Sequence, residues 1–403
     1  EWPVILVSDE LAPSETIQLD KSKILAFVTE GGSANSHSAI LARTMGIPAV
    51  FGAEGLLRPE YEGQEAFVDG ETGQIVLDAD DETRDSLLEK QQVQARLAQL
   101  LHALKGQPNR TLDGRELEVV CNISGPGDLP AVRANDGGGV GLLRSELLYL
   151  QSTMLPGEEE QLDFYRSVLE PLHGQRAVIR TLDIGADKQV DYLPLPAEEN
   201  PALGMRAVRL CLTRPDLFRV QLRALYRASA YGNLAILFPM VSSPWEFTAC
   251  RALCEQVQRE LTQEGMAFCR DVPLGVMIET PAAAMMSEEL ARVADFFSVG
   301  TNDLTQYTLA CDRQSGQLDQ FYDPHHPAVL RMIRRAAKAI HRHGKWIGIC
   351  GELAGDVQMT ELFVAMGIDE LSVSPSQVLP VRNTLRSLDS RVNGPRLLEE
   401  LGE

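Results

Sequence analysis

The sequence predicts an α/β protein in which a (β/α)8 barrel follows a small α/β domain and a linker helix. Short β-rich runs surround one helical pattern before residue 80, and a long helical pattern comes next. Eight buried-looking strands then alternate with amphipathic stretches, in a segment close to the ~250 residues usual for such a barrel. An open, doubly wound sheet is the competing interpretation.

Residues 1–80 are predicted to form the small domain. Its β-rich runs are VILVSD, ILAFVTE and AFVDGETGQIVLD, and its helical pattern is SAILARTMG. A glycine-containing loop places His37 at the start of that helix, where unpaired N–H groups and the helix dipole would stabilise a phosphate on the imidazole. A phosphorylated histidine and a capping or surface histidine are the two interpretations of this residue.

Residues 81–106 are predicted to form one linker helix. Acidic residues begin the pattern, leucines continue it at helical spacing, and Gly106 ends it. Residues 107–403 are assigned to the barrel. Its eight predicted strands are ELEVVCNI, GGVGLLR, AVIRTLDI, LAILFPMV, LGVMIE, FFSVGT, WIGICG and ELSVS.

Polar side chains occur where these strands end, which is the face that carries the active site in a (β/α)8 barrel. Arginines, carboxylates and a thiol on one rim would suit a doubly charged phosphorylated acid together with a divalent cation. The residues at or just after the strand ends are Asn122, Arg144, Arg180, Asp183, Glu279, Asn302, Asp303 and Cys350.

Glu279 and Asp303 follow neighbouring strands of the predicted barrel. Mg²⁺ is commonly held by one or two carboxylates plus substrate oxygens, so the pair is a candidate magnesium site. Asn302 is a candidate donor to a phosphate oxygen. The alternative is that both acids form structural ion pairs with the rim arginines.

Arg144, Arg180 and Arg313 are candidate anion-binding residues, and Arg206 is a weaker fourth. Guanidinium groups contact carboxylates and phosphates through two hydrogen bonds, so three of them would spread the charge at both ends of a small diacid. Taken alone, each is more often a surface or interface arginine.

Cys350 ends a predicted strand before Gly351. A thiol there would act as a general acid beside a developing carbanion, or it is a buried structural cysteine. The six other cysteines are interpreted as structural. No C-x-x-C pair occurs among the seven, which indicates reduced thiols in a cytosolic protein.

Composition excludes other classes of function. Fifty-seven Asp and Glu residues against 37 Lys and Arg give a net charge of −20, which would repel nucleic acid. The sequence contains no uncharged apolar run of the length that crosses a bilayer, so no membrane insertion is expected. The chain begins at Glu1 rather than Met, and we expect it to be part of a longer protein.

Seven motifs in this order resemble the enzyme I family of the phosphoenolpyruvate-dependent sugar phosphotransferase system. They span almost the whole chain: SHSAILAR, GLLRSELLYL, IRTLDIGADK, NPALGMRAVR, IETPAAA, FFSVGTNDLTQYTLACDR and GICGELAGD. The resemblance implies a swivelling histidine domain and a phosphoenolpyruvate-binding barrel that dimerises. It also implies transfer of the phosphoryl group to a histidine, release of pyruvate, and onward transfer to the phosphocarrier HPr.

The resemblance also implies roles for individual residues. His37 matches the phosphorylated histidine, and Cys350 matches the proton donor. The implied substrate-binding residues are Arg144, Arg180, Asn302, Asp303 and Arg313. The implied Mg²⁺ ligands are Glu279 and Asp303.

Two departures from the family pattern accompany the resemblance. Ser33 and Asn35 stand where the family usually has Gly and Thr before the histidine. The helical domain that docks HPr is not in the sequence, so we expect that this chain alone does not pass phosphate to HPr. A pyruvate phosphate dikinase or phosphoenolpyruvate synthase, and a non-catalytic phosphoenolpyruvate-sensing barrel, are the alternative functions.

Overall fold

A computed structural model of the chain describes residues 3–9, 23–31, 47–185, 192–313, 315–318 and 320–402. The chain divides into two compact units, Glu1–Ala103 and Leu104–Glu403. His37 and the predicted helix SAILARTMG lie outside the described residues.

The first unit contains a parallel three-stranded sheet and a β-hairpin. Its strands are β1 (Val4–Ser8), β2 (Ile24–Thr29), β3 (Ala49–Phe51), β4 (Ala66–Asp69) and β5 (Gln74–Leu77). The sheet has the order β1-β2-β3, and β4 pairs antiparallel with β5. Ile24 and Phe27 of the central strand form a small buried cluster, and Leu6, Ile47 and Ala49 pack against it.

A 22-residue helix, α1 (Asp81–His102), completes the first unit. Asp80 caps it by accepting a hydrogen bond from the Thr83 N–H at 2.8 Å. The helix ends before the predicted boundary at residue 106, because turns follow His102 and Gly106 adopts a φ of 75°.

The second unit is a closed barrel of eight parallel strands, which confirms the predicted fold and excludes an open sheet. Neighbouring strands follow chain order around the barrel, and the last strand pairs with the first. The strands are β6 (Glu118–Ile123), β7 (Val140–Arg144), β8 (Ala177–Arg180), β9 (Leu234–Phe238), β10 (Leu274–Ile278), β11 (Phe296–Val299), β12 (Ile347–Ile349) and β13 (Glu370–Val373).

At least one helix follows every barrel strand. The first seven helices of this unit are α2 (Leu129–Ala134), α3 (Glu146–Gln151), α4 (Glu158–Leu169), α5 (Val208–Thr213), α6 (Pro215–Ala228), α7 (Pro244–Gln263) and α8 (Pro281–Met285). The remaining helices are α9 (Ser287–Ala291), α10 (Thr301–Leu309), α11 (Pro327–Arg342), α12 (Thr360–Met366), α13 (Val378–Ser387) and α14 (Ser390–Glu400). Within the described ranges, none of the helices has the length and apolar character needed to cross a membrane.

Side chains from alternate strand positions fill the inside of the barrel. Two glycines make room for larger neighbours. A Cβ on Gly141 would lie 2.3 Å from Ser372 Oγ, and one on Gly275 would lie 2.4 Å from the Phe296 ring. The apolar residues of this inner cluster are Leu142, Val178, Ala235, Leu237, Met277, Phe296 and Cys350.

A charged cluster lies where several strands begin. Arg176 contacts the carboxylates of both Glu118 and Glu370, and its guanidinium lies 4.5 Å from the centre of the Trp346 ring. Trp346 in turn stacks on Phe296 at 4.8 Å. Glu370 is buried, and this burial raises the pKa of its carboxyl group to about 7.

Candidate active site

The ends of the barrel strands bring the predicted site residues to one rim. Arg144 and Arg180 are the last residues of β7 and β8 and lie side by side in the strand register. Glu279 directly follows β10, and Cys350 directly follows β12. Asp303 lies in the first turn of α10, the helix that follows β11.

Arg180 is buried between two carboxylates. Its guanidinium contacts Glu146 and lies 3.1 Å from Asp183 Oδ2. Burial alone would lower the pKa of Arg180, but the charges of the two acids outweigh burial and raise it above its ordinary value. The arginine is therefore held charged inside the rim.

Arg206 lies between Asp183 and Asp303. Its Nη2 atom is 2.9 and 3.0 Å from the two Asp183 oxygens and 3.3 Å from Asp303 Oδ2. Its Nη1 atom donates to the Tyr307 hydroxyl at 3.1 Å. From the sequence, Arg206 was a weaker candidate for anion binding than the other three arginines. The structure places it among the buried ion pairs of the rim.

Arg313 extends this series of contacts toward solvent. Its Nε atom lies 3.1 Å from Asp303 Oδ1, and its backbone N–H donates to Gln306 Oε1 at 3.0 Å. Six residues therefore alternate in charge from the buried interior to the partly exposed edge. This rim ion chain consists of Glu146, Arg180, Asp183, Arg206, Asp303 and Arg313.

Arg144 and Asn302 keep donors available at the same rim. Among the described residues, Arg144 has no hydrogen-bond or ion-pair partner, although it is half-buried. The amide oxygen of Asn302 accepts from the Glu352 N–H at 3.0 Å, and its backbone carbonyl accepts from the Tyr322 hydroxyl at 3.0 Å. These contacts leave the Asn302 NH₂ group without a partner in the described part of the chain.

Glu279 is almost fully buried beside the rim ion chain. Its Oε1 atom accepts a 2.6 Å hydrogen bond from the backbone N–H of Met240, a non-glycine residue at a φ of 58°. Burial, followed by the charges of Asp303 and Asp183, raises the pKa of Glu279 to about 8. Arg180 and Arg206 act in the opposite direction, but burial and the two acids outweigh them.

Cys350 lies at the inner side of the rim. Its thiol points at the Val299 carbonyl, with a sulfur–oxygen distance of 3.5 Å. Burial raises the pKa of Cys350 to about 11, so the side chain holds its proton at neutral pH. Asn122 fixes this turn, because its NH₂ group donates to the carbonyls of Cys350 and Ser372, both at 3.0 Å.

The sequence analysis did not identify three groups that contact the rim residues: Glu146, Tyr307 and the backbone N–H of Met240. Glu146, the partner of Arg180, had one available signal: it is a charged residue that falls on the buried face of a short helix. Tyr307 follows Asp303 by one helical turn, so a hydroxyl on the same face as the acid was a weak indication. The hydrogen bond from Met240 comes from the backbone and leaves no sequence signal.

Two family models match the chain, one over the barrel and one over the first unit. The PEP-binding domain of PEP-utilising enzymes matches residues 98–390, and the mobile domain of PEP-utilising enzymes matches residues 1–73. These matches cover most of the chain. The chain belongs to the PEP-utilising enzymes.

Curated relatives carry one common name. A phosphoenolpyruvate-protein phosphotransferase of Staphylococcus carnosus is 44% identical over 386 residues, which are 96% of this chain and 67% of that protein. The proteins of that name from Bacillus subtilis and Priestia megaterium are 43% and 42% identical, over 96% and 98% of this chain. The chain spans 68% and 69% of those two relatives.

Proposed function

We propose that this chain transfers the phosphoryl group of phosphoenolpyruvate to His37 and releases pyruvate. The main support for this proposal is the rim ion chain, which lies beside Glu279 and Cys350 at the strand ends of the barrel. A family match to a PEP-binding domain covers that barrel, and relatives named phosphoenolpyruvate-protein phosphotransferase support the same reaction. The phosphohistidine would then supply the sugar phosphotransferase system.

Binding of phosphoenolpyruvate is assigned to Arg144, Arg180, Asn302 and Arg313. The substrate carries a carboxylate and a phosphate, and guanidinium groups contact both through paired hydrogen bonds. Arg144 has its donors available in the described part of the chain, and Arg313 is the most exposed arginine of the rim ion chain. Arg313 can therefore exchange Asp303 for a substrate oxygen without moving a buried group.

Mg²⁺ is the cation proposed at Glu279 and Asp303. The described residues contain no group of three His, Cys, Asp or Glu side chains that could hold a metal. A pair of carboxylates still fits, because Mg²⁺ is commonly held by one or two acids plus substrate oxygens. Both acids are buried oxygen ligands, and a cation would favour the ionised form of Glu279 against burial and the charges of Asp303 and Asp183, which raise its pKa. A cation bound there would stabilise charge on the phosphoryl oxygens.

Phosphoryl transfer requires a nucleophile in line with the bond that breaks. An imidazole nitrogen of His37 would form the bond to phosphorus while the bond to the enol oxygen breaks. That oxygen keeps the electron pair, and the arginines of the rim stabilise its charge. Cys350, which holds its proton at neutral pH, would then protonate the methylene carbon of enolpyruvate to give pyruvate.

The domain assignment follows from these roles. We assign residues 1–80 to a phosphohistidine swivel domain, 81–106 to the linker and 107–403 to the phosphoenolpyruvate-binding barrel. His37 and the rim belong to different units of the chain. The resemblance to enzyme I supports a histidine-bearing domain that swivels between the barrel, where it would receive the phosphoryl group, and the acceptor.

The partners belong to the same proposal. HPr or an HPr-like domain is the proposed acceptor from His37, and the protein is proposed to act in the cytoplasm as a homodimer formed through the barrel. The resemblance to enzyme I supports both the proposed acceptor and the proposed dimer. Sedimentation at concentrations well above micromolar is expected to show a dimer, and a monomer there would contradict this assignment.

Intact-protein mass spectrometry after incubation with Mg²⁺ and phosphoenolpyruvate tests the reaction. One phosphate is expected on the unmodified chain and none on His37→Ala. His102→Ala, which changes an exposed histidine of α1, is the control and should be phosphorylated normally. Label from ATP but not from phosphoenolpyruvate would favour a dikinase, and phosphoenolpyruvate binding without label or pyruvate would favour a sensor.

A further inference from the structure

Ser298 has a buried hydroxyl group that takes no part in the proposed reaction as described above. The residue is 1% exposed, and its Oγ atom has no hydrogen-bond partner among the described residues. It lies in β11 two positions after Phe296, a member of the inner cluster, so it faces the inside of the barrel. Native proteins rarely bury a hydroxyl without a partner, because its lost hydration is not replaced.

Cys350 is the neighbour that makes this hydroxyl informative. Ser298 pairs with Gly348 in the strand register, and Cys350 lies two residues beyond Gly348 on the adjacent strand end. The protonated thiol directs its proton to the Val299 carbonyl, so its sulfur offers Ser298 no charged acceptor. Burial raises the pKa of Cys350, and the nearby Ser298 hydroxyl acts in the opposite direction by favouring the thiolate.

We propose that Ser298 donates a hydrogen bond to the Cys350 thiolate formed when Cys350 protonates enolpyruvate. This inference rests on the proposed function, in which Cys350 is the acid. In that step the S–H bond breaks, and its electron pair stays on sulfur. The carbon–carbon double bond supplies the electron pair of the new C–H bond. The Ser298 O–H bond stays intact, and water returns a proton to sulfur before the next turnover.

Charged groups also act on this sulfur. Glu279, after β10, disfavours the thiolate, whereas Arg180 of β8 and Arg144 of β7 favour it. These groups act through their charge, and the arginines are also needed for the substrate. Ser298 differs because it is neutral, lies beneath the rim, and has its O–H group uncommitted in the described structure.

Alkylation of Cys350 tests the hydrogen bond without any turnover. The rate of iodoacetamide modification of the Cys350 peptide is measured by mass spectrometry between pH 8 and 10, where the rate follows the thiolate fraction. A hydrogen bond to a charged group corresponds to a shift of about one pKa unit, so Ser298→Ala is expected to react about tenfold more slowly. Ser298→Thr, which keeps the hydroxyl, should retain most of the rate.

Thr360→Val is the matched control. Thr360 also buries a hydroxyl with no partner in the described part of the chain, but it lies at the start of α12, outside the barrel strands. Ser298→Ala and Thr360→Val should both leave the urea midpoint unchanged or higher, because each removes an unpaired buried hydroxyl. Only Ser298→Ala should change the alkylation rate, which separates a role at the thiol from a role in folding.

Turnover of phosphoenolpyruvate completes the test. Pyruvate release by Ser298→Ala is expected to be about tenfold slower, with a larger solvent isotope effect because proton transfer limits the rate more strongly. Equal alkylation rates in Ser298→Ala and the unmodified chain would overturn the inference, whether or not phosphoenolpyruvate is a substrate. Slower alkylation with unchanged pyruvate release and an unchanged solvent isotope effect would overturn the role of Ser298 in turnover.

Discussion

Replacing Glu370 by glutamine is expected to remove a pH-dependent loss of stability from the barrel. Glu370 is 1% exposed, contacts Arg176 through one oxygen, and leaves Oε1 without a partner among the described residues. A glutamine keeps an acceptor oxygen for Arg176 but never ionises. The exchange therefore removes the cost of burying a charge while preserving the shape of the side chain.

The sign and size follow from the pKa of Glu370, which burial raises from 4.5 to about 7. Between these pH values the folded chain holds a proton at this position that the unfolded chain has lost. The stability from this group is complete below pH 4.5 and is lost as the pH rises to 7. A shift of this size corresponds to about 3 kcal/mol at 25 °C.

Urea unfolding of the unmodified chain and Glu370→Gln, followed by tryptophan fluorescence from pH 4.5 to 8, measures this difference. The contributions of other titrating groups to the free energy of unfolding cancel when the two proteins are compared at each pH. The stability of the variant relative to the unmodified chain should increase by about 3 kcal/mol up to pH 7 and then stay constant. A difference that does not change with pH would refute the reasoning. The control is Glu118→Gln, since Glu118 contacts the same arginine but is 59% exposed, and its effect should stay below about 1 kcal/mol.

Two further substitutions test the backbone and the rim. Ala310 follows α10 at a φ of 53°, so Ala310→Gly should stabilise the chain by about 0.5–1 kcal/mol in urea unfolding, whereas Ala95→Gly inside the exposed α1 should cost about 1 kcal/mol. A lower midpoint for Ala310→Gly would contradict this expectation. Asp183→Asn removes a counter-charge from two buried arginines and should lower the free energy of unfolding by about 3 kcal/mol. The control, Asp216→Asn, changes an exposed ion pair and should lower it by less than about 1 kcal/mol. Equal losses of stability would contradict the expected effect of burial.

The barrel was predictable because its eight strands are short apolar runs separated by helical stretches. Six of the eight predicted runs extend beyond the carboxyl ends of their strands, whereas ELEVVCNI and GGVGLLR end with β6 and β7. AVIRTLDI was assigned as a strand, yet β8 ends at Arg180, and the Leu182 N–H turns to the Gln221 side chain. Residues just beyond the strand are as buried as the strand itself, so an apolar pattern does not show where the hydrogen-bond ladder stops.

The sequence predicted that these polar residues share one rim, but not which of them pair with each other. Strand ends of a barrel converge, so polar residues after each strand are expected to share one rim. The pairing of Arg206 with Asp183 depends on the course of the long segment between them, which spacing does not determine. The role of His37 stays a prediction, because this residue lies outside the described part of the chain.

The rim ion chain has a thermodynamic consequence for the ligands it would bind. Positive and negative side chains alternate along it, and its outer end is the pair formed by Arg313 and Asp303. An anion that draws Arg313 away leaves Asp303 with an oxygen ready for a cation, and a cation on Asp303 releases Arg313 toward an anion. Ligands of opposite sign therefore strengthen each other's binding by the same factor, so the affinity for either one depends on the concentration of the other.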